Sequence, residues 1–129
     1  MRALLDTNVL VRHLTGDPPA QAQRATALFA GDDELILTDL VLAELVYVLE
    51  SYYERPRHEI ADAARALFAL PSVASDHEVL LRAIELYESA RLDFADAYVC
   101  AVAEISGIEM VASFDRRLDK VPSVQSLEP

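Results

Sequence analysis

Four acidic residues of this sequence could together bind a divalent metal ion. Asp6 and Asp115 come just after short segments that are predicted to be strands, whereas Glu44 and Asp96 stand inside apolar helical segments. Ionised carboxylates are costly to remove from water unless they are paired, protonated or bound to a metal. Two carboxylates about 5 Å apart repel by roughly 3 kcal/mol at an effective dielectric constant of about 20. If the four converge, protonation or a bound cation must relieve most of that repulsion. With oxygen-only ligands, the cation would be Mg²⁺ or Mn²⁺.

Glu44 is the most informative of these acids. Its neighbours at i−4, i−3 and i+4 on the predicted helix are Leu40, Val41 and Val48. We therefore expect its carboxylate to lie on an apolar face and not in the solvent-exposed stripe. A buried arginine partner would explain such a position without any metal, and this alternative stays open.

Asp96 repeats the pattern near the start of another predicted helix. Asp93 and Asp96 are three residues apart and share one helix face, which Val99 and Cys100 extend as apolar residues. Asp93 can cap the helix while Asp96 interacts with its positive end, an explanation that suits Asp93 better than Asp96. Cys100 is the one cysteine of the chain, so no internal disulfide is possible and a core position is expected.

Asp6 and Asp115 also have simpler structural explanations. Asp6 could cap the helix that begins near Asn8, and Asp115 could cap the turn at 116–118. In open parallel sheets, however, ligands gather beyond the carboxyl ends of the strands. We therefore expect these two acids to share one rim of a sheet, although they are far apart in the sequence.

Short apolar runs alternate with amphipathic segments along the whole chain. We predict strands at 3–5, 34–37, 73–74 and 108–112 and near Val124, and helices at about 8–14, 17–31, 39–53, 58–70, 77–91 and 94–106. Strands separated by helices imply an α/β fold, here a three-layer sandwich with a short, mainly parallel central sheet flanked by helices. No repeat, low-complexity tract or linker interrupts the chain, so residues 1–129 are predicted to form a single domain.

Composition limits the classes of protein that fit. The 129 residues are 53% hydrophobic and 26% charged, which is typical of a globular protein. The net charge of −11 argues against a protein that binds nucleic acid by coating its phosphates. No uncharged segment approaches the roughly 20 residues that span a membrane, and Asp6 interrupts the N-terminal apolar run too early for a signal peptide. We expect a cytoplasmic protein without membrane association.

Four motifs follow one another in a specific order and spacing: 6–10 (DTNVL), 43–44 (AE), 93–97 (DFADA) and 113–118 (SFDRRL). As an ordered set they resemble the PIN domain family and, more narrowly, the VapC-type toxins of bacterial toxin–antitoxin pairs. The resemblance extends from Leu4 to about Val124, which is nearly the whole chain. Each motif alone is weak, but the set is specific.

The resemblance implies a Mg²⁺-dependent ribonuclease with a PIN-like fold. It assigns the active site to four acids, namely Asp6, Glu44, Asp96 and Asp115. Of these, the acids matching Asp6 and Asp96 are the usual metal ligands. The positions that support the site match Asn8, Asp93 and Ser113. The family also implies an RNA substrate, a homodimer, and an antitoxin protein that obstructs the site.

Basic residues near the acids are candidate contacts for an RNA phosphate. Arg116, Arg117 and Lys120 come just after Asp115, and Arg12 is a weaker candidate one helical turn beyond Asn8. A solvated turn explains the residues after Asp115 equally well.

Two other classes of protein fit parts of the pattern. A haloacid-dehalogenase-type phosphotransferase uses a strand-end Asp as nucleophile, but it needs a second Asp where Asn8 stands and a separate active-site lysine. The one lysine is Lys120, near the C-terminus, and the same shortage weakens a receiver domain. A non-catalytic module could use an acidic pocket to dock a basic peptide. Such a docking surface does not need acids on buried helix faces, so the nuclease is the preferred hypothesis.

Overall fold

Strands and helices alternate along the chain, which confirms the predicted α/β class. The computed structural model describes residues 1–129 and groups them into two units, Met1–Asp76 and His77–Pro129. All paired strands are parallel, as predicted. That the whole chain forms a single domain stays a prediction.

The N-terminal unit contains a three-stranded parallel sheet in the order β1-β2-β3. Its strands are β1 (Arg2–Leu4), β2 (Glu34–Ile36) and β3 (Val73–Ala74), and its helices are α1 (Thr7–Thr15), α2 (Pro19–Phe29), α3 (Asp39–Ser51) and α4 (Arg57–Ala69). Ala3 pairs with Leu35, which pairs in turn with Val73. Two helices lie between successive strands of this sheet and provide the long crossover that parallel strands need.

Local sequence signals set the helix ends of this unit. Gly16 ends α1 in the left-handed conformation at φ 73°, which glycine adopts without steric cost. Pro19 occupies the first turn of α2, where its missing N–H is not needed. The hydroxyl of Thr38 accepts a hydrogen bond from the Val41 N–H at 3.3 Å and caps α3.

Leucine and isoleucine side chains form the core of the N-terminal unit. The fully buried residues include Leu10, Leu35, Leu42 and Ile60, one from each of four elements. Their burial fixes the position of α1, which Asp6 directly precedes, and of α3, which carries Glu44.

The C-terminal unit begins with two helices that pack on each other, α5 (His77–Ser89) and α6 (Phe94–Ser106). They are followed by β4 (Met110–Ala112), a 3₁₀ turn (Arg116–Lys120) and β5 (Gln125–Leu127). Val111 of β4 pairs with Ser126 of β5. Cys100 is fully buried, which confirms its expected core position.

None of the helices combines the length and the apolar character needed to cross a bilayer.

A network of charged side chains joins α5 to α6. The Arg82 guanidinium donates from Nε to Glu104 Oε2 at 2.7 Å and from Nη2 to Glu104 Oε1 at 3.0 Å. The Ser123 hydroxyl also donates to the Glu104 carboxylate. The Arg82 hydrogen bonds, and after them the Ser123 hydroxyl, hold the pKa of Glu104 below its usual value despite partial burial. The network therefore stabilises the folded form with Glu104 ionised.

Replacing Arg82 with alanine should lower the free energy of unfolding by about 1–2 kcal/mol, because Glu104 then stays partly buried without its charged partner. The pKa of Glu104 is lowered in the folded chain, so this stabilisation is present above the ordinary glutamate pKa. It disappears as the pH falls through the lowered folded value. Urea unfolding of the wild-type chain and Arg82→Ala, at neutral pH and in acid, measures both effects.

Arg55→Ala is the matched control, because Arg55 forms only an exposed pair with Glu59 at 3.7 Å. Arg55→Ala should lower the free energy of unfolding by less than about 0.5 kcal/mol. Equal losses in the two variants would contradict the role assigned to Arg82.

Candidate functional site

One cleft of the N-terminal unit contains both of its predicted active-site acids. The cleft has a volume of about 370 Å³, and we call it the Asp6 cleft. Its lining residues are Asp6, Thr7, Asn8, Val11, Arg12, Glu44, Val48, Tyr52 and Tyr53. The fold thus brings Asp6, Asn8 and Glu44 to one surface, although they come from two helices and the loop after β1.

Asp6 links β1 to α1, and its carboxylate is exposed. The backbone on either side is fixed, because the Leu5 N–H donates to the Ile36 carbonyl at 2.9 Å and the Val9 N–H donates to the Asp6 carbonyl at 3.1 Å. Asp6 occupies the N-cap position, but its side chain makes no capping hydrogen bond. The carboxylate is therefore not used by the helix and remains available to a ligand.

Glu44 is exposed, so the expectation that it lies on a buried helix face is wrong. The core face of α3 carries Leu42, Leu45, Val46 and Leu49, whereas Leu40, one turn before Glu44, is 78% exposed. Apolar residues occur around most of α3, so apolar neighbours could not identify the face that packs. No arginine pairs with Glu44, which removes the buried-pair alternative.

Thr7 has a buried hydroxyl at the Asp6 cleft. The residue is 5% exposed, and its Oγ1 has no hydrogen-bond partner within the protein. Buried polar atoms of this kind are commonly satisfied by an ordered water or a ligand. Sequence reasoning missed Thr7, and it also missed Tyr52 and Tyr53, which follow α3 and line the same cleft.

Asp96 lies in the first turn of α6 and is partly buried. Its pKa is raised, first by loss of hydration and then by the negative charges of Asp115 and Asp93, while Arg117 acts in the opposite direction. The expectation of an apolar face holds for Cys100, which is buried, but not for Val99, which is 44% exposed. Burial and repulsion together thus disfavour the ionised form of Asp96, and Arg117 offsets only part of their effect.

Asp115 is held by its own turn. Its carboxylate accepts a hydrogen bond from the Arg117 N–H at 2.9 Å, so the predicted cap is present. The Arg117 guanidinium adds contacts from Nη2 at 2.6 Å and Nε at 2.9 Å to Oδ2. The hydrogen bonds from the Arg117 side chain, followed by that from its N–H, lower the pKa of Asp115. The Ser113 hydroxyl accepts a hydrogen bond from the Asp115 N–H at 2.9 Å and so fixes the backbone of the turn. That Ser113 supports an active site stays a prediction.

Asp93 occupies the N-cap of α6 without a capping side-chain hydrogen bond, so the expected cap is wrong. Its carboxylate is instead 3.7 Å from Arg117 Nη1. Arg117 therefore contacts both Asp93 and Asp115, because the 3₁₀ turn carries the guanidinium toward the start of α6. Of the other candidate cations in this unit, Arg116 pairs with Glu128 at 3.3 Å, and Lys120 is exposed.

The donor atoms in each unit suit a hard cation. Carboxylate and amide oxygens line the Asp6 cleft. In the C-terminal unit, the carboxylates of Asp93 and Asp115 act electrostatically on that of Asp96. Mg²⁺ and Mn²⁺ prefer such oxygen ligands. Within either unit alone, no three His, Cys, Asp or Glu side chains are close enough to hold a metal ion. The assignment of Asp6 and Asp96 as metal ligands stays a prediction.

Comparison with known proteins identifies similar chains. The PIN domain profile matches residues 3–124. The VapC ribonuclease of Aquifex aeolicus (strain VF5) is 30% identical over 122 residues, which cover 92% of this chain and 90% of the relative. Among solved structures, VapBC2 from Rickettsia felis, bound to a DNA fragment from their promoter, aligns over 98% of both chains. The TM-score is 0.41 and the identity 15%.

Replacing Arg117 with alanine should raise the pKa of Asp115 toward its ordinary value, because the hydrogen bonds of the guanidinium are lost. The pKa of Asp96, already raised, should rise further, since Arg117 now lowers it. Carboxyl ¹³C NMR titration measures both. Arg116→Ala is the control, because its guanidinium pairs with Glu128. An unchanged Asp115 titration in Arg117→Ala would contradict the described contacts.

Proposed function

The chain belongs to the PIN domain family, and we propose that it is a metal-dependent ribonuclease, the toxin of a toxin–antitoxin pair. The observation that carries this proposal is the pair of exposed, unpaired carboxylates, Asp6 and Glu44, in one cleft. A 30% identical relative named as a ribonuclease supports RNA as the substrate. A structural role for the two acids would require partners that they do not have.

We assign Mg²⁺, or Mn²⁺ in its place, to Asp6 and Asp96. A bound cation would supply Lewis acidity there, polarising the phosphate and lowering the pKa of an attacking water molecule. The surroundings of Asp96 support this assignment: burial raises its pKa first, and the negative charges of Asp115 and Asp93 raise it further, while Arg117 acts against them.

The remaining acids have separate tasks in this proposal. Glu44 is exposed in the Asp6 cleft, so its carboxylate can accept hydrogen bonds from a water molecule and orient it. Asp115 is held in one orientation by Arg117 and by the turn that Ser113 fixes, which suits a positioned ligand or acceptor. Asp93 helps to hold Arg117.

Polar and basic side chains of the Asp6 cleft can bind the phosphate. The Asn8 amide is exposed and can donate to a phosphate oxygen. Arg12 lines the same cleft, and its Nε now donates to Gln21 Oε1 at 2.7 Å, which leaves further N–H groups of the guanidinium for a phosphate. Arg117 contributes less, because Asp93 and Asp115 already engage it.

An antitoxin protein is the partner that this function requires. We propose that it blocks access to the acidic residues and that the ribonuclease acts as a homodimer. The net charge of −11 favours a basic segment in the partner. The main alternative, a module that only docks a basic peptide, predicts binding without turnover.

Asp96→Asn should reduce the rate of RNA cleavage at least about 100-fold. Mutating a residue that only orients a metal ligand can already lower activity about 100-fold, and losing the ligand itself should lower it at least as much. The fold should be kept, because asparagine has nearly the same size as aspartate. Cleavage of total cellular RNA, with Mg²⁺ and with EDTA, provides the measurement, and circular dichroism checks the fold. Asp119→Asn, an exposed acid of the same 3₁₀ turn as Arg117, is the control and should cleave normally.

Cleavage that survives EDTA would contradict the metal dependence. Wild-type activity in Asp96→Asn would contradict the role of Asp96. Binding of RNA or of a basic peptide without any turnover by the wild-type chain would favour the docking module.

A further inference from the structure

An exposed aromatic residue lies in the Asp6 cleft and has no part in the proposed hydrolysis. Tyr52 is 78% exposed although it lines the same cleft as Asp6, Asn8 and Glu44. A large ring in water gains free energy when it is covered by another flat apolar surface. The available surface at a site that handles nucleic acid is the face of a base.

The turn that carries Tyr52 is held firmly by its backbone. The Tyr52 N–H donates to the Val48 carbonyl at 3.0 Å, and the Arg55 N–H donates to the Leu49 carbonyl at 2.9 Å. Between them, Glu54 adopts φ 52°, a left-handed conformation that residues other than glycine adopt rarely and at a cost. The aromatic residue is therefore presented by a defined turn and not by a loose loop.

Tyr53 supports the ring of Tyr52 from one side. The two ring centroids are 4.9 Å apart at an angle of 71°, which is an edge-to-face contact. Tyr53 itself is only partly exposed. The contact limits the motion of Tyr52 and still leaves most of its surface accessible, which is the arrangement that a stacking platform requires.

We propose that Tyr52 stacks on a base of single-stranded RNA next to the phosphate that enters the Asp6 cleft, with Tyr53 as a positioning residue. This inference rests on the proposed ribonuclease function. A base inside a duplex is covered on both faces, so only an unpaired nucleotide can use the ring. Arg12, in the same cleft, can hold the adjoining phosphate, so one cleft contacts both a base and the backbone.

Fluorescence of 2-aminopurine tests the stacking directly, because this base is quenched when it stacks. The probe is a short single-stranded RNA with 2-aminopurine in place of adenine, bound in Mg²⁺ to Asp96→Asn protein so that it is not cut. Adding Tyr52→Ala should abolish the quenching and weaken binding about tenfold. Adding Tyr52→Phe should restore both, since the ring and not the hydroxyl makes the contact.

Tyr47 provides the matched control. It lies on α3, is 67% exposed and does not line the cleft. Adding Tyr47→Ala to the Asp96→Asn protein should therefore change neither the quenching of 2-aminopurine nor the affinity for the RNA. Equal behaviour of Tyr52→Ala and Tyr47→Ala would overturn the proposal. So would a change in oligomeric state, and not in RNA binding, on gel filtration of Tyr52→Ala.

Failure of the ribonuclease function can be told apart from failure of the stacking. Cleavage by the wild-type chain is measured separately, and its absence contradicts the nuclease alone. The fluorescence reports contact with the base whether or not the strand is cut, so quenching that depends on Tyr52 supports the stacking in either case.

Discussion

Repulsion between carboxylates is the physical constraint on which the C-terminal acids depend. Asp96 is partly buried, and Asp93 and Asp115 add negative charge to a group that already lacks water, so its pKa is raised. Arg117 balances part of that negative charge, because its guanidinium contacts both Asp93 and Asp115. One guanidinium for three carboxylates leaves a deficit of positive charge, which the divalent cation of the proposed function would offset.

The fold repeatedly places its acids at the beginnings of helices. Asp6 precedes α1, Asp93 precedes α6, and Asp115 precedes the 3₁₀ turn. The unpaired N–H groups at these ends favour negative charge, which lowers the cost of keeping acids there. Only the carboxylate of Asp115 accepts a capping hydrogen bond, whereas those of Asp6 and Asp93 do not. The beginning of a helix can therefore accommodate an acid whose carboxylate makes no capping hydrogen bond.

The positions of the elements were predictable from the sequence, and the orientation of single side chains was not. Glycines and capping residues mark helix ends locally, which is why α6 has the predicted bounds of 94–106 and α1 ends at Gly16. The face of α3 that packs depends on partners from elsewhere in the chain, so the apolar neighbours of Glu44 indicated burial where the side chain is exposed. Asp93 failed as a cap for a similar reason, because Arg117 comes from a distant segment. The sequence did not identify Tyr52 as an exposed residue of the Asp6 cleft, since an aromatic residue at the end of a helix is more often part of a core.

Calorimetric titration with Mg²⁺ tests the central claim most directly, because it asks whether a cation relieves the crowded acids without involving RNA. We expect saturable binding of Mg²⁺ to the wild-type chain and its loss in Asp6→Asn and in Asp96→Asn, with both variants folded. Mg²⁺ binding that is equally strong in the wild-type chain and in both variants, or no binding to the wild-type chain at all, would contradict it.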